Sequence, residues 1–142
     1  MIRVFLDANV YFAGFFSKEG ASSVILELAH RKKITIVSSR LVLREADRNL
    51  RRKTDPKTLK SFHRYLQQVK IYVVPTPEDS ALQRYESHIH PKDVPVLAAT
   101  VESRADYLIT LDRKHFFTSQ VSFFSKKVKV LTPGDFLKKL LR

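Results

Sequence analysis

The stretch that decides the fold of this chain is residues 105–112, with the sequence ADYLITLD. Its apolar centre, Tyr107–Thr110, predicts a short buried strand, and Asp112 lies directly beyond the end of that strand. The N-terminal stretch has the same plan, because the apolar run Ile2–Leu6 ends at Asp7. In a parallel sheet the carboxyl ends of the strands share one edge, and ligands bind at that edge. Asp7 and Asp112 are therefore predicted to lie at the same edge of a sheet.

Outward from these two strands, strand-like and helix-like segments alternate along the chain. Further strands are predicted at Ile34–Val37, Ile71–Val74 and Val128–Leu131. Helices are predicted at Val10–Phe16, at Ser22–Arg31, from Ser39 as N-cap to about Lys53, after Asp55-Pro56, at Glu78–Ser87, at Val94–Arg104 and after Thr132-Pro133. This alternation predicts an α/β fold with three α/β/α layers, a central parallel sheet of about five strands and a single domain over residues 1–142.

The composition of the chain indicates a negatively charged partner. Among 142 residues, 26 Lys and Arg stand against 14 Asp and Glu, which gives a formal net charge of +12. Nucleic acid is the leading candidate partner, with an acidic protein as the alternative. The absence of cysteine excludes disulfides and thiolate metal sites. There is no apolar run long enough to cross a membrane and no signal peptide, so a soluble cytoplasmic protein is expected.

Four acidic residues are predicted to meet at the carboxyl edge of the sheet. Asp7 and Asp112 follow the first and fourth strands, Glu45 lies in the second turn of the helix after the second strand, and Asp93 begins the helix before the fourth. Carboxylates brought so close repel one another unless a cation binds between them. Hard oxygen ligands without cysteine favour Mg²⁺ or Mn²⁺. The four acids are therefore candidate metal ligands.

Each of these acids also has a purely structural interpretation, which the sequence leaves open. Asp93 has the position of a helix N-cap. Glu45 can pair with Arg48 on the same helix. Asp7 and Asp112 both suit Asx turns after a strand. Individually these placements carry little weight, whereas four coincident placements at one edge favour a common site.

The helix after Ser39 is predicted to carry the nucleic-acid-binding charge. At helical spacing the apolar side chains form one face, made of Val42, Leu43, Ala46 and Leu50. Four arginines occupy the opposite arc: Arg44, Arg48, Arg51 and Arg52. Glu45 lies at the boundary between the two faces, so the arginines are expected beside the acidic site. A merely solvated basic face is the alternative.

The chain resembles the PIN-domain nuclease family over essentially its whole length. The segments that carry the resemblance are VFLDANV at Val4–Val10, LVLREA at Leu41–Ala46, KDVPVLAA at Lys92–Ala99, ADYLITLD at Ala105–Asp112 and VLTP at Val130–Pro133. The resemblance implies that Asp7, Glu45, Asp93 and Asp112 are the metal-binding and catalytic acids. It also implies that Asn9 and Thr110 orient carboxylates or water. Asp106 is expected to be structural.

One departure from the family concerns the residues before Asp93. Many relatives have a further acid there, whereas this chain has His88-Ile89-His90. In an extended segment these two imidazoles would point to one side and could serve as ligands. A polar loop with no ligand role is the favoured interpretation.

The resemblance implies hydrolysis of RNA phosphodiester bonds by metal-activated water. It further suggests the toxin of a toxin–antitoxin pair or a free-standing RNA-processing nuclease, so an antitoxin protein and a second copy of the chain are additional candidate partners. Two alternatives stay open. A phosphatase of the haloacid dehalogenase type would use Asp7 as nucleophile, although Asn9 occupies the place of its usual second aspartate. A catalytically inactive PIN-like module would only bind RNA or protein.

Overall fold

The computed structural model of the chain describes residues 1–84, 86, 89–118 and 128–141. Five strands form one sheet: β1 (Arg3–Leu6), β2 (Thr35–Ser39), β3 (Ile71–Val74), β4 (Tyr107–Ile109) and β5 (Lys129–Leu131). The strand order is β3-β2-β1-β4-β5, and every neighbouring pair is parallel. The predicted α/β architecture with a central parallel sheet is confirmed.

Helices connect the strands in the predicted alternation. They are α1 (Ala8–Phe16), α2 (Ala21–His30), α3 (Arg40–Lys53), α4 (Pro56–Gln68), α5 (Asp79–Gln83), α6 (Val94–Glu102), α7 (Arg113–Phe116) and α8 (Pro133–Leu140). Helix α5 is shorter than the predicted segment Glu78–Ser87, of which Tyr85 and Ser87 lie outside the described residues. The short helix α7 was not predicted. None of the helices within the described ranges is long and apolar enough to cross a membrane.

Local capping chemistry explains where several helices begin. The Ser39 hydroxyl accepts a hydrogen bond from the backbone N–H of Val42 at 3.3 Å, which starts α3 as predicted. The Asp55 carboxylate accepts from the N–H of Thr58 at 2.7 Å, and Pro56 occupies the first turn of α4. A side-chain oxygen at this position satisfies an N–H that has no partner inside the helix.

The centre of the sheet lies in the core. Val4, Phe5 and Leu6 in β1 and Leu108 in β4 have no exposed surface. Such apolar runs are typical of parallel strands covered by helices on both faces. Of the clustered phenylalanines in α1, Phe15 packs edge-on against Phe62, with ring centroids 5.4 Å apart.

The order of the strands creates a crevice beside β1. From β1 the chain proceeds through β2 to β3 on one side, whereas β4 and β5 lie on the other side. This reversal of strand order opens a crevice between the carboxyl ends of β1 and β4. The backbone N–H of Asp7 donates to the carbonyl of Ile109 at 3.0 Å, so the β1–β4 pairing extends up to Asp7. The candidate site is built at this edge.

Candidate active site

Asp7 is held at the edge of the sheet by hydrogen bonds to both of its carboxylate oxygens. Its side chain is buried, with 8% of the residue exposed. Oδ1 accepts from the N–H of Ala8 at 2.8 Å, which caps α1. Oδ2 accepts from Thr110 Oγ1 at 2.7 Å and from Asn9 Nδ2 at 3.3 Å. The Asp7 side chain therefore caps α1 and also lies at the candidate site.

Asn9 and Thr110 link the ends of β1 and β4 around that carboxylate. Asn9 Oδ1 accepts from the N–H of Leu111 at 3.1 Å, which fixes the orientation of its amide so that Nδ2 faces Asp7. Thr110 Oγ1 accepts from the N–H of Asp112 at 3.0 Å while it donates to Asp7. Both residues contact the Asp7 carboxylate, as expected if they orient a carboxylate in the way that the family resemblance implies.

Asp93 lies at the N-terminus of α6, but its side chain does not cap the helix. No cap hydrogen bond forms, because the Asp93 backbone is already helical, with φ −99° and ψ −8°. Its Oδ2 is buried and has no hydrogen-bond partner within the described part of the chain. Asp93 therefore occupies the N-cap position, as its sequence position indicates, but its carboxylate turns to His115 instead of capping the helix.

The two carboxylate oxygens of Asp112 have different contacts, one to the backbone of α7 and one to the His115 side chain. Oδ1 accepts from the N–H of His115 at 3.0 Å, which starts α7 immediately after β4. Oδ2 lies 3.0 Å from His115 Nδ1. The Asx-type cap anticipated for this residue is present, and it turns the second oxygen towards the pocket.

Glu45 approaches from α3 and is exposed. Among the residues that the structure describes, Glu45 forms no ion pair, so the anticipated pair with Arg48 is absent. Its charge instead acts on Asp7, whose pKa it helps to raise. Glu45 is therefore part of the electrostatic environment of the carboxylates at the sheet edge.

The carboxylates influence one another's protonation. Burial raises the pKa of Asp7 from 3.8 to about 6, against the hydrogen bonds from Thr110 and Ala8, with further increases from the charges of Glu45 and Asp93. Burial also raises the pKa of Asp93; nearby His115 opposes this rise and the charge of Asp112 adds to it. The charges of Glu45 and Asp93 thus act on Asp7, and that of Asp112 acts on Asp93, which links the four predicted acids electrostatically.

His115 is the site residue that the sequence analysis missed. One ligand atom each from Asp93, Asp112 and His115 lies within 4.8 Å of the others. The only signal in the sequence is the three-residue spacing from Asp112 to His115, which places the imidazole one helical turn after the cap. His90 is also near, with its ring stacked on that of His115 at a centroid distance of 4.8 Å. His88 lies outside the described residues.

The side chains present fit a divalent cation. The pocket offers carboxylate oxygens, one of which is buried and contacts His115 without a well-formed hydrogen bond from any described residue, at an edge where like charges raise pKa values. A cation would satisfy the unpaired oxygen and remove the repulsion. The ligand roles of Asp7, Glu45, Asp93 and Asp112 remain a prediction.

The arginines of the basic arc on α3 are exposed. Val42, Ala46 and Leu50 are buried, whereas Leu43 is only partly buried. Arg51 is engaged by Asp47, with Nη2 and Oδ1 3.2 Å apart. No acidic residue in the described ranges forms an ion pair with the other arginines of the arc, Arg44, Arg48 and Arg52.

The family follows from a match over most of the chain. A family model described as PIN domain matches residues 3–114, a span that contains all four predicted acids. The chain belongs to the PIN-domain family. PIN domains are generally nucleases, which favours the nuclease interpretation of Asp7 over the phosphatase alternative. No curated protein sequence matches the chain.

Solved structures share the PIN fold at low sequence identity. VapBC2 from Rickettsia felis, bound to a DNA fragment from their promoter, is 16% identical with a TM-score of 0.61, covering 92% of this chain and 98% of that chain. FitAcB from Neisseria gonorrhoeae is 17% identical with a TM-score of 0.59 and the same coverage. PAE2754 from Pyrobaculum aerophilum is 20% identical with a TM-score of 0.62, covering 99% of this chain and 90% of that chain. These similarities concern the fold.

Proposed function

We propose that this PIN domain is a metal-dependent ribonuclease that hydrolyses RNA phosphodiester bonds. The observation that carries the proposal is the mutual influence of Asp7, Glu45, Asp93 and Asp112 at the carboxyl edge, in a chain of a nuclease family. A degenerate binding module would be expected to have lost one or more of these acids. This chain retains all four.

The chain's own residues would hold and orient the cation and the attacking water. Asp7, Glu45, Asp93 and Asp112 would provide the carboxylate oxygens. Asn9 and Thr110 keep the Asp7 carboxylate in a single orientation, because each bonds to Oδ2 and also to the backbone beyond β4. When bound, Mg²⁺ or Mn²⁺ supplies Lewis acidity towards a phosphate oxygen and lowers the pKa of a bound water.

RNA is proposed as the substrate on the basis of charge and position. The net charge of +12 favours a polyanion. Arg44, Arg48 and Arg52 are exposed on the same helix as Glu45, so a phosphate backbone bound along them would pass beside the carboxylates. Arg51 contributes less in this proposal, because Asp47 already neutralises its guanidinium.

An antitoxin protein is proposed as a partner of this chain. The similar structures VapBC2 and FitAcB are complexes of a toxin with its antitoxin, and the first is bound to a DNA fragment from their promoter. A second copy of the chain is a further candidate partner, since Phe16 on α1 is 65% exposed and its ring stacks on that of Phe12. Exposed aromatic side chains are enriched at protein interfaces.

The proposed function is tested by incubating the purified protein with structured and single-stranded RNAs, in Mn²⁺, in Mg²⁺ and in chelator. Cleavage is expected with a divalent ion and not in chelator. Binding of RNA without cleavage under every condition would favour the inactive-module alternative. Cleavage that persists in chelator would contradict a metal-dependent mechanism.

The basic arc on α3 gives a prediction about salt dependence. Replacing Arg48 and Arg52 by Gln is expected to weaken RNA binding and to lower the slope of log K against log salt by about 1.4, since each lost phosphate contact contributes ~0.7 for a single strand. The measurement is a titration of a non-cleaved RNA at several salt concentrations. The matched control is Lys32→Gln with Lys33→Gln, which removes two exposed charges from the turn before β2, at the opposite edge of the sheet. Equal slopes for the arginine variant and the wild type would support the alternative that the arc is merely a solvated basic face.

A further inference from the structure

The imidazole of His115 lies among the carboxylates with the spacing of a metal ligand. Its Nδ1 is 2.7 Å from Asp93 Oδ2 and 3.0 Å from Asp112 Oδ2. Two ligands at right angles on an ion, each about 2.1 Å from it, are roughly 3 Å apart. The separations of Nδ1 from the two oxygens therefore suit adjacent corners of one octahedral coordination sphere.

Nδ1 of His115 makes ion-pair contacts with both oxygens, and the geometry of the contact to Asp93 Oδ2 is poor for a hydrogen bond. Although Asp93 Oδ2 is buried and lies 2.7 Å from Nδ1, it accepts no hydrogen bond with acceptable geometry from any described residue. By contrast, the imidazole of His63 does form a hydrogen bond to Asp47, with Nε2 and Oδ2 2.5 Å apart. The spacing of His115 Nδ1 and Asp93 Oδ2 would let these two atoms share one bound ion.

The imidazole is also held in place before any ion binds. The His90 ring stacks on it, with an interplanar angle of 17°. The backbone of His115 is anchored at the start of α7 by Asp112 Oδ1. His90 is fixed in turn, because its Nδ1 accepts from the N–H of Lys92 at 3.2 Å. A ligand that is positioned in advance loses little conformational entropy on binding.

We propose that His115 supplies a nitrogen ligand to the cation in this pocket, which makes the site selective for Mn²⁺ over Mg²⁺. This inference rests on the proposed function, since it concerns the same cation pocket. Mg²⁺ is bound in proteins by oxygen atoms and retains several waters, whereas imidazole nitrogen suits first-row transition ions. An imidazole also adds a ligand without adding a further negative charge to an already crowded acidic pocket.

The test compares metal affinities and the spectrum of bound Mn²⁺ in wild type, His115→Gln and His63→Gln. Calorimetric titration with Mn²⁺ and with Mg²⁺ is expected to show tighter Mn²⁺ binding by wild type. His115→Gln is expected to lose about tenfold or more in Mn²⁺ affinity, with little change for Mg²⁺. His63→Gln removes an imidazole paired with an aspartate outside the pocket and is expected to retain both affinities. Electron spin-echo spectroscopy of Mn²⁺ on the wild type is expected to show nitrogen coupling that His115→Gln lacks.

Each contrary outcome has a separate meaning. Absence of nitrogen coupling in wild type, or equal Mn²⁺ affinity in wild type and His115→Gln, would overturn the ligand role of His115 and leave the proposed nuclease function intact. An equal loss of Mn²⁺ and Mg²⁺ affinity would overturn it too, because it would show that His115 only positions the carboxylates. Binding of neither ion by wild type would overturn the inference together with the proposed function. If His115→Gln fails to fold, retention of the nitrogen coupling in His90→Gln would support His115 as its source, and its loss there would overturn the inference.

Discussion

Replacement of Asp112 by Asn is expected to lower Mn²⁺-dependent cleavage of RNA by about 10²–10³-fold. The substitution retains the size of the side chain, and the amide oxygen can still accept from the N–H of His115 and start α7. It removes the negative charge of Oδ2, which faces Asp93 and His115 in the pocket. Loss of a hard anionic ligand weakens metal binding, and metal-assisted stabilisation is worth several kcal/mol, at 1.36 kcal/mol per decade of rate. The measurement is single-turnover cleavage at saturating RNA.

The matched control for this prediction is Asp106→Asn. Asp106 precedes the same strand, at the opposite edge of the sheet, where its Oδ2 accepts from the N–H of Arg3 at 2.9 Å. This placement agrees with its expected structural role, and the amide of Asn can retain that bond. Asp106→Asn is expected to cleave RNA as the wild type does. Full activity of Asp112→Asn, in protein freed of host ribonuclease, would remove Asp112 from the catalytic set.

The second large effect concerns the pH dependence of stability in metal-free protein. The pKa of Asp7 is raised by burial from 3.8 to about 6, so the folded protein holds this proton more tightly than the unfolded chain does. As pH rises between these two values, the folded state loses stability, by about 3 kcal/mol in total at 1.36 kcal/mol per pKa unit. The loss is complete above pH 6. Asp7→Asn lacks this titration, so its free energy of unfolding relative to wild type is expected to rise by about 2.4 kcal/mol from pH 4 to pH 7, since part of the loss has already occurred at pH 4.

The comparison across pH separates ionisation from lost hydrogen bonds. In Asp7→Asn the new amide nitrogen would face Asn9 Nδ2, whose orientation is fixed by Leu111, so one favourable contact is lost at every pH. That constant offset cancels when the difference between variant and wild type is followed from pH 4 to pH 7. Denaturant unfolding in chelator measures it. A difference that stays flat with pH would show that Asp7 acts first as a hydrogen-bond acceptor and that no electrostatic strain is stored there.

Added Mn²⁺ is expected to remove the same penalty. An ion bound only by the folded state stabilises it by mass action, and it favours the ionised carboxylate. The melting temperature of wild type at pH 7 should therefore rise with Mn²⁺ much more than that of Asp7→Asn. This result would connect the raised pKa of Asp7 to the cation site without any measurement of cleavage.

The sequence by itself determined the features that depend on neighbours along the chain. Apolar runs set β1 and β4, and a single acid directly after each run places Asp7 and Asp112 at the carboxyl edge, whatever the rest of the sheet does. The start of α3 could also be predicted from the sequence, because the Ser39 cap and the buried face of the helix are local patterns. These predictions needed only the geometry of strands and helices.

Only the tertiary structure decided which side chains complete the pocket. His115 enters it because Asp112 caps α7 and Phe116 is buried, which turns the preceding imidazole towards Asp93, a residue from a distant segment. Asp93 has the sequence position of an N-cap, yet its backbone is helical and its carboxylate makes no cap hydrogen bond. This backbone conformation depends on how α6 packs. Spacing along the chain cannot predict such contacts, because their energy comes from groups that only the folded sheet brings within about 3 Å of one another.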